Sequence, residues 1–200
     1  NDIVTNDSIP SGGVISLNSG YKYSDTDSGI NGISIGKSIT INGNGYAIDA
    51  KSKSSIFYVT AGSINITDVT LKNGKADKGG AIYFKNAISN SNINATYINN
   101  TAEWDGGANY FWDSVLGSNV SGTYINNTAE QNGGANYFKG SVSGSNISGT
   151  YINNTATNGG GANNFGSVLG SNVSGIYISN TASNAVIHFE DNYNYGLDAD

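Results

Sequence analysis

Carboxyl side chains recur at one fixed place in this chain, directly after an alanine. Asp77, Glu103 and Glu130 each follow the alanine that ends a repeated motif, and Asp105 lies two residues after Glu103. If the repeats stack, these carboxylates become like-charged neighbours, which costs free energy unless a cation bridges them. Carboxylate oxygens suit calcium, so one interpretation is a surface calcium site. The alternative is a set of solvated turn carboxylates, with Lys78 nearby, that binds no cation.

The chain contains two tryptophans, and both lie in a single copy of the repeat. Trp104 and Trp112 flank one short strand-like segment, while the equivalent positions in other copies hold Gln or Lys. Stacking therefore does not require an indole at either place, and exposed rings there could hold sugar rings or a protein partner. Asn109 and Tyr110 lie between the tryptophans and could add polar contacts. The alternative is that each indole covers a local gap on the surface.

The composition excludes several other kinds of chemistry. All nine basic residues are lysines, cysteine is absent and the net charge is −6 at pH 7. Without cysteine the chain forms no disulfide, thiolate nucleophile or zinc–cysteine site, and its acidic balance argues against nucleic acid as a partner. The acids are spread along the chain and His188 is the sole histidine, so no catalytic residue is predicted. No apolar run approaches the roughly 20 residues of a membrane-spanning helix.

An internal repeat sets the positions of these residues. A Tyr-Ile-Asn/Ser-Asn-Thr-Ala motif and a Gly-Gly-Ala motif each occur four times, in steps of 27 residues with one Tyr-motif step of 26. The shorter step indicates a one-residue deletion between Phe165 and Val168. Short β-prone segments between Gly, Asn and Ser turns favour strands. Equivalent residues at a constant step favour a parallel β-helix, an all-β single-stranded solenoid with about 27 residues per coil.

Such a coil predicts that identical side chains stack as ladders, about 4.8 Å apart. Aromatic, aliphatic and amide ladders are expected, and the amides should hydrogen-bond along the axis. The predicted ladders are Phe84/Phe111/Phe138/Phe165, Tyr97/Tyr124/Tyr151/Tyr177, Ile88/Val115/Val142/Val168, Asn99/Asn126/Asn153 and Asn100/Asn127/Asn154/Asn180. Gly and Ala recur at the corners, because the backbone must turn sharply or approach another strand closely there.

The regularity of the repeat divides the chain into three parts. Residues 38–184 carry the regular coils, and residues 1–37 are predicted to form opening coils with an N-terminal cap, since open strand edges invite aggregation. Residues 185–200 lose the motif and end in an acidic tail, which predicts a C-terminal cap or the start of a linker. A monomer is predicted.

Three segments resemble a known family. Ser-Ile-Thr-Ile-Asn-Gly-Asn-Gly-Tyr-Ala-Ile-Asp at 38–49, Val-Thr-Leu-Lys-Asn-Gly-Lys-Ala at 69–76 and Gly-Gly-Ala-Ile-Tyr at 79–83 resemble the adhesin-like surface proteins of methanogenic archaea. The Gly-Gly-Ala-Ile motif with its aromatic-x-x-Asn partner also resembles the repeats of polymorphic outer-membrane proteins. The resemblance covers nearly the whole chain, and is most specific over residues 20–85. The later copies depart from the family pattern, because Ile82 is replaced by Asn at the equivalent positions.

The resemblance implies a right-handed parallel β-helix in an extracellular, cell-surface location, within a larger anchored protein. It also implies adhesion to glycans or proteins of a partner cell, and it names no catalytic residues to carry over.

Three functions therefore stay open. The first is a non-enzymatic adhesin module that presents a binding face and needs no cofactor, unless calcium is bound. The second is a polysaccharide lyase or hydrolase on the same scaffold, because fold does not fix function. Enzymes that resemble pectate lyases use a basic residue, usually Arg, and this chain has none. The third is a structural spacer without a specific ligand.

Overall fold

The chain winds into a stack of parallel coils. The computed structural model describes residues 9–24 and 31–190, and within these ranges all strand pairs are parallel and no helix occurs. The stack has about six turns that repeat roughly every 27 residues, which confirms the predicted parallel β-helix. Short strands are stable in this arrangement because each one hydrogen-bonds to the coils on either side.

The strands of the described residues form three sheets that run along the stack. Sheet A contains β1 (Gly13–Ser16), β2 (Tyr21–Lys22), β4 (Ile39–Asn42), β5 (Ala47–Asp49), β7 (Ile64–Lys72), β11 (Asn92–Ile98), β15 (Asn119–Ile125), β18 (Asn146–Ile147), β19 (Thr150–Ile152), β22 (Asn172–Val173) and β23 (Ile176–Ile178). Sheet B contains β3 (Ile33–Ile35), β6 (Phe57–Val59), β9 (Ile82–Phe84), β10 (Ile88–Ser89), β13 (Asn109–Phe111), β14 (Val115–Leu116), β17 (Asn136–Ser143), β21 (Asn163–Leu169) and β24 (Ile187–Phe189). Sheet C contains β8 (Lys75–Lys78), β12 (Thr101–Asp105), β16 (Thr128–Ala129) and β20 (Thr155–Ala156).

Two of the three register shifts between described strands mark where the step from one coil to the next changes from 27 to 26 residues. Phe138 pairs with Phe165 but Ser141 pairs with Ser167, so the deletion lies where the sequence predicts it, before Val168. The other shift lies between β7 and β11, where β7 has one residue more. Asp68 in β7 adopts a φ of 52°, a left-handed conformation that accommodates the extra residue as a bulge.

The interior is filled by the ladders that the repeat predicts. The rings of Phe84, Phe111, Phe138 and Phe165 stack with centroids 4.4, 4.5 and 4.8 Å apart, and Phe189 continues the stack. The tyrosine ladder has spacings of 4.6, 4.8 and 4.9 Å. The aliphatic ladder that begins at Ile88 is in register as well. Full burial of an aromatic or aliphatic side chain stabilises a fold by about 1.5 to 3 kcal/mol, so these ladders are the main source of stability.

Only one of the two predicted asparagine ladders of the Tyr motif forms. The amides of Asn100, Asn127, Asn154 and Asn180 donate one to the next over 2.9 Å. The prediction is wrong for Asn99, Asn126 and Asn153, because these side chains are exposed and no hydrogen bond of the described residues joins them. Their φ angles of 54°, 53° and 53° lie in the left-handed region, so these residues form turns of the chain instead of a ladder.

The predicted terminal segments are described only in part. Residues 1–8 and 25–30 of the N-terminal segment, and residues 191–200 of the C-terminal segment, lie outside the described residues. The described parts continue the stack, because β1 pairs with β4 at one end and β24 pairs with β21 at the other. Within the described ranges, no helix has the length and apolar character needed to cross a membrane.

Candidate binding groove

A column of tyrosines runs along the outer face of sheet B. Tyr58, Tyr83, Tyr110 and Tyr137 are in register in successive coils. They point outward because neighbouring strand residues, such as Phe84 and Phe111, point into the core. Adjacent rings lie 5.2 to 5.4 Å apart, which is a favourable contact distance for aromatic pairs. The column gives this face a continuous aromatic floor.

An open groove of about 660 Å³ lies between this column and the strands of sheet C. We call it the aromatic–lysine groove. Its lining residues are Asn31, Lys53, Ser54, Ser55, Tyr58, Lys75, Ala76, Asp77, Lys78, Tyr83, Lys85 and Trp104. Four of these are lysines and Asp77 is the one carboxylate among them, so the lining carries a net positive charge. A positive groove is notable on a chain whose net charge is −6.

Trp104 lines one end of this groove, and Trp112 lies just outside the lining, on the ammonium of Lys78 that both indoles contact. The ammonium of Lys78 is 5.4 Å from the ring centroid of Trp104, 5.2 Å from that of Tyr110 and 5.2 Å from that of Trp112. Trp104 is 52% exposed and Trp112 is 36% exposed, so both indoles remain accessible to a ligand. The structure therefore brings together three of the four predicted binding residues, and it holds a cation among them.

Trp112 occupies a ladder position that the coils on either side fill with lysine. Lys85, Trp112 and Lys139 each follow a stacked phenylalanine in successive coils. Their ammoniums bend toward the indole, with Nζ of Lys85 4.5 Å and Nζ of Lys139 3.6 Å from the ring centroid. Together with Lys78 they form what we call the Trp112 cluster. The sequence shows Lys85 and Lys139 only as equivalents of Trp112, and it does not predict that their ammoniums converge on the indole.

The prediction that Asn109 contacts a ligand is wrong. Asn109 is fully buried, because it alternates with Tyr110 along β13 and so points into the core. Its Nδ2 donates to Oδ1 of Asn136 over 2.9 Å, and Asn136 continues the ladder to Asn163. Burial raises the pKa of Tyr97, and the Asn109 side chain opposes this shift.

The same prediction is wrong for Tyr110 as a direct contact. Tyr110 is 1% exposed, because Lys78 and the Trp112 indole, with its centroid 6.2 Å away, cover its ring. Burial, and then the negative charge of Asp105, raise the pKa of its hydroxyl. Tyr110 therefore remains neutral at physiological pH and supports the accessible indoles from below.

The four carboxylates proposed for calcium have different surroundings. Asp77, Glu103 and Glu130 are exposed, and the Glu103 carboxylate lies 3.6 Å from the Lys75 ammonium. Asp105 is buried, and its Oδ1 accepts from the backbone N–H and the Nδ2 of Asn132. Burial raises the pKa of Asp105 although these hydrogen bonds lower it. Within residues 9–24 and 31–190, no three His, Asp or Glu side chains are grouped so as to hold a metal ion.

The calcium hypothesis stays a prediction with a direct test. If calcium bridges Glu103 and Glu130, saturating calcium should raise the melting temperature by mass action, and a chelator should lower it. The double substitution Glu103→Gln/Glu130→Gln should then remove the difference between the two conditions. Differential scanning calorimetry with and without calcium measures this. An identical melting temperature of the unsubstituted protein in calcium and in chelator would contradict the hypothesis.

Fold and groove together define the class of this protein as a parallel β-solenoid with a cationic aromatic groove on one outer sheet. Comparison of the chain with protein-family models, with curated proteins and with solved structures finds no match. The function must therefore be inferred from the groove itself.

Proposed function

We propose that this chain is a non-enzymatic, extracellular adhesin module that binds glycans of a partner cell in the aromatic–lysine groove. The observation that carries the proposal is the exposure of Trp104 in an open groove floored by tyrosines, with the exposed Trp112 next to it on the groove lysines Lys78 and Lys85. Aromatic faces beside polar side chains suit sugar rings, since one face of a pyranose is apolar and its hydroxyls need hydrogen-bonding partners. A stiff stack of coils would present this face away from the cell.

The shape of the groove supports binding of a chain rather than of a small molecule. It is open to solvent and runs along a column of equivalent residues in successive coils. An extended ligand could contact several coils at once, so that many weak contacts act in parallel. The ladders hold the backbone in place, so little conformational entropy is lost when the ligand binds.

The double substitution Trp104→Ala/Trp112→Ala should weaken glycan binding by ten- to a hundredfold. Central aromatic anchors contribute this much because their truncation costs about 1.4 to 2.8 kcal/mol. A glycan array identifies the ligand, and titration calorimetry measures the affinity of both proteins. Tyr46→Ala is the matched control, because Tyr46 is 40% exposed but lies in a turn outside the groove. Unchanged binding by the double variant would contradict the proposal.

The same glycan array also tests the other two candidate functions, which are a polysaccharide lyase or hydrolase and a structural spacer. Shortening of any polysaccharide on the array would indicate a hydrolase or lyase. Cleavage by a glycosidase needs two carboxyl groups on either side of the bond, and Asp77 is the one carboxylate among the groove residues. Binding to no glycan, with the protein folded, would favour the spacer.

A further inference from the structure

Three lysine ammoniums converge on one indole. Nζ of Lys78, Lys85 and Lys139 lie 5.2, 4.5 and 3.6 Å from the ring centroid of Trp112. The three charges are therefore within about one Debye length of one another at physiological salt, so they repel. The negative face of the indole offsets only part of this repulsion. A chain with only nine lysines concentrates three of them at this point.

The carboxylates of the described residues do not neutralise this cluster. The ion pairs of these residues join Lys75 to Glu103, and Lys51 and Lys72 to Asp49. None of them involves a lysine of the Trp112 cluster.

Three carboxylates near the cluster are engaged elsewhere, and one of them is Glu190, whose Oε1 accepts from Asn164 Nδ2 over 2.6 Å. Asp113 follows Trp112 directly, but its Oδ1 accepts the backbone N–H of Ser114 over 2.7 Å. Asp105 acts on Lys78 only at longer range, and its Oδ1 accepts from Asn132. None of the ion pairs of the described residues holds Lys78, Lys85 or Lys139, so the three ammoniums can bind an external anion.

The cluster and the groove are continuous. Lys78 and Lys85 belong to both, and Trp104 lies beside Lys78 at the groove end. The aromatic rings also hold the ammoniums in place before a ligand arrives, which reduces the entropy lost on binding. A ligand that matches this surface carries negative charges on a chain of sugar rings.

We propose that the groove is specific for anionic glycans, whose carboxylate or sulfate groups bind Lys78, Lys85 and Lys139 while sugar rings contact Trp104. This inference rests on the proposed glycan binding and names the class of glycan. Lysine suits both anions, because an ammonium acts as a point charge with three donors and does not demand a planar acceptor.

Titration calorimetry with matched probes tests the proposal. The acidic probes are hexasaccharides of galacturonate, hyaluronan and heparin. Each is paired with a neutral form, which is the methyl ester of the first two and desulfated, N-acetylated and methyl-esterified heparin. At least one acidic probe should bind at least tenfold more tightly than its neutral form, and its affinity should fall when NaCl rises from about 50 to about 200 mM.

The variant Lys85→Gln/Lys139→Gln should lose at least tenfold in affinity for that acidic probe. It leaves Lys78 among the aromatic rings, so the cluster keeps its packing. Lys22→Gln/Lys51→Gln is the matched control, because it removes the same charge from sheet A and its turn, and it should bind normally.

Several outcomes would overturn the inference. Equal binding of acidic and neutral probes, unaffected in Lys85→Gln/Lys139→Gln, would overturn anion specificity and leave the proposed glycan binding intact. Binding to none of the acidic probes would also overturn anion specificity. If the neutral glycans did not bind either, the proposed glycan binding itself would be overturned. Equal affinity for a short single-stranded oligonucleotide would overturn the glycan class in favour of a general polyanion site.

Discussion

Replacing Gly107 with alanine should destabilise the protein by at least about 3 kcal/mol, because the new methyl group has no space among backbone atoms. A Cβ at Gly107 would overlap the carbonyl oxygen of Gly134 in the next coil, and it would lie 2.7 Å from the backbone N and C of Thr128. None of these atoms is the end of a flexible side chain. The same close approach recurs in each coil, at Gly80, Gly107 and Gly134.

The coils cannot separate to relieve this overlap. Gly107 donates its N–H to Gly133 over 2.9 Å, and Ala108 donates to Ala135 over 2.9 Å, so the coil spacing is set on both sides of the substitution. Chemical denaturation followed by circular dichroism measures the change in the free energy of unfolding. Gly62→Ala is the matched control, because its Cβ would meet only the Ala87 oxygen, at 3.9 Å. Equal stability of the two variants would contradict the conclusion that the backbone around Gly107 leaves no space for a Cβ.

The repeat made most of the fold predictable from the sequence. A constant step of 27 residues forces equivalent side chains into contact, so Phe84 and its counterparts could be assigned to one ladder without a structure. The same logic located the deletion before Val168. It failed at Asn99, because repetition shows which residues are neighbours but does not show which way a side chain points at a turn.

The sequence contains an indication that Asn109 lies in the interior. Leu71 and Ile82 form an apolar pair of positions in one coil, and the next coil has Tyr97 and Asn109 in the same register. Both changes occur in the same coil and persist together in the following ones. A buried tyrosine hydroxyl needs a polar partner, so this paired change indicates that tyrosine and asparagine face each other inside the stack.

The Trp112 cluster could not be predicted in the same way. Lys78 comes from sheet C, whereas Lys85 follows β9 and Lys139 lies in β17, both in sheet B, so their meeting depends on long side chains that bend across a corner. The repeat step predicts contacts between equivalent residues of successive coils. It does not predict contacts between residues at different positions of the repeat. The exposed tryptophans were visible in the sequence because they break the repeat, whereas nothing in the repeat marks Lys78 as a neighbour of Lys85 and Lys139.

The substitution Asn127→Ala should destabilise the protein by about 3 to 5 kcal/mol, because it breaks the buried amide ladder in its middle. Asn127 is fully buried, and its Oδ1 accepts from both the backbone N–H and the Nδ2 of Asn100. Its Nδ2 donates to the Tyr97 carbonyl over 3.1 Å and to Asn154 Oδ1 over 2.9 Å. Alanine leaves the backbone N–H and one Nδ2 hydrogen of Asn100 without this acceptor, whereas Asn100 Nδ2 still donates to Leu71 and Asn154 Oδ1 still accepts from the backbone N–H of residue 127. Each buried group that loses its partner costs about 1 to 3 kcal/mol.

The neighbouring residue provides a matched control for this substitution. Asn126 is exposed and has a φ of 53°, so Asn126→Gly keeps the turn and removes no hydrogen bond of the side chain. We expect the free energy of unfolding of this variant to lie within about 1 kcal/mol of that of the unsubstituted protein. Denaturation of both variants under one set of conditions gives the comparison. If Asn127→Ala proves as stable as Asn126→Gly, the amide ladder contributes little, and the backbone hydrogen bonds between strands and the apolar ladders would hold the coils together without it.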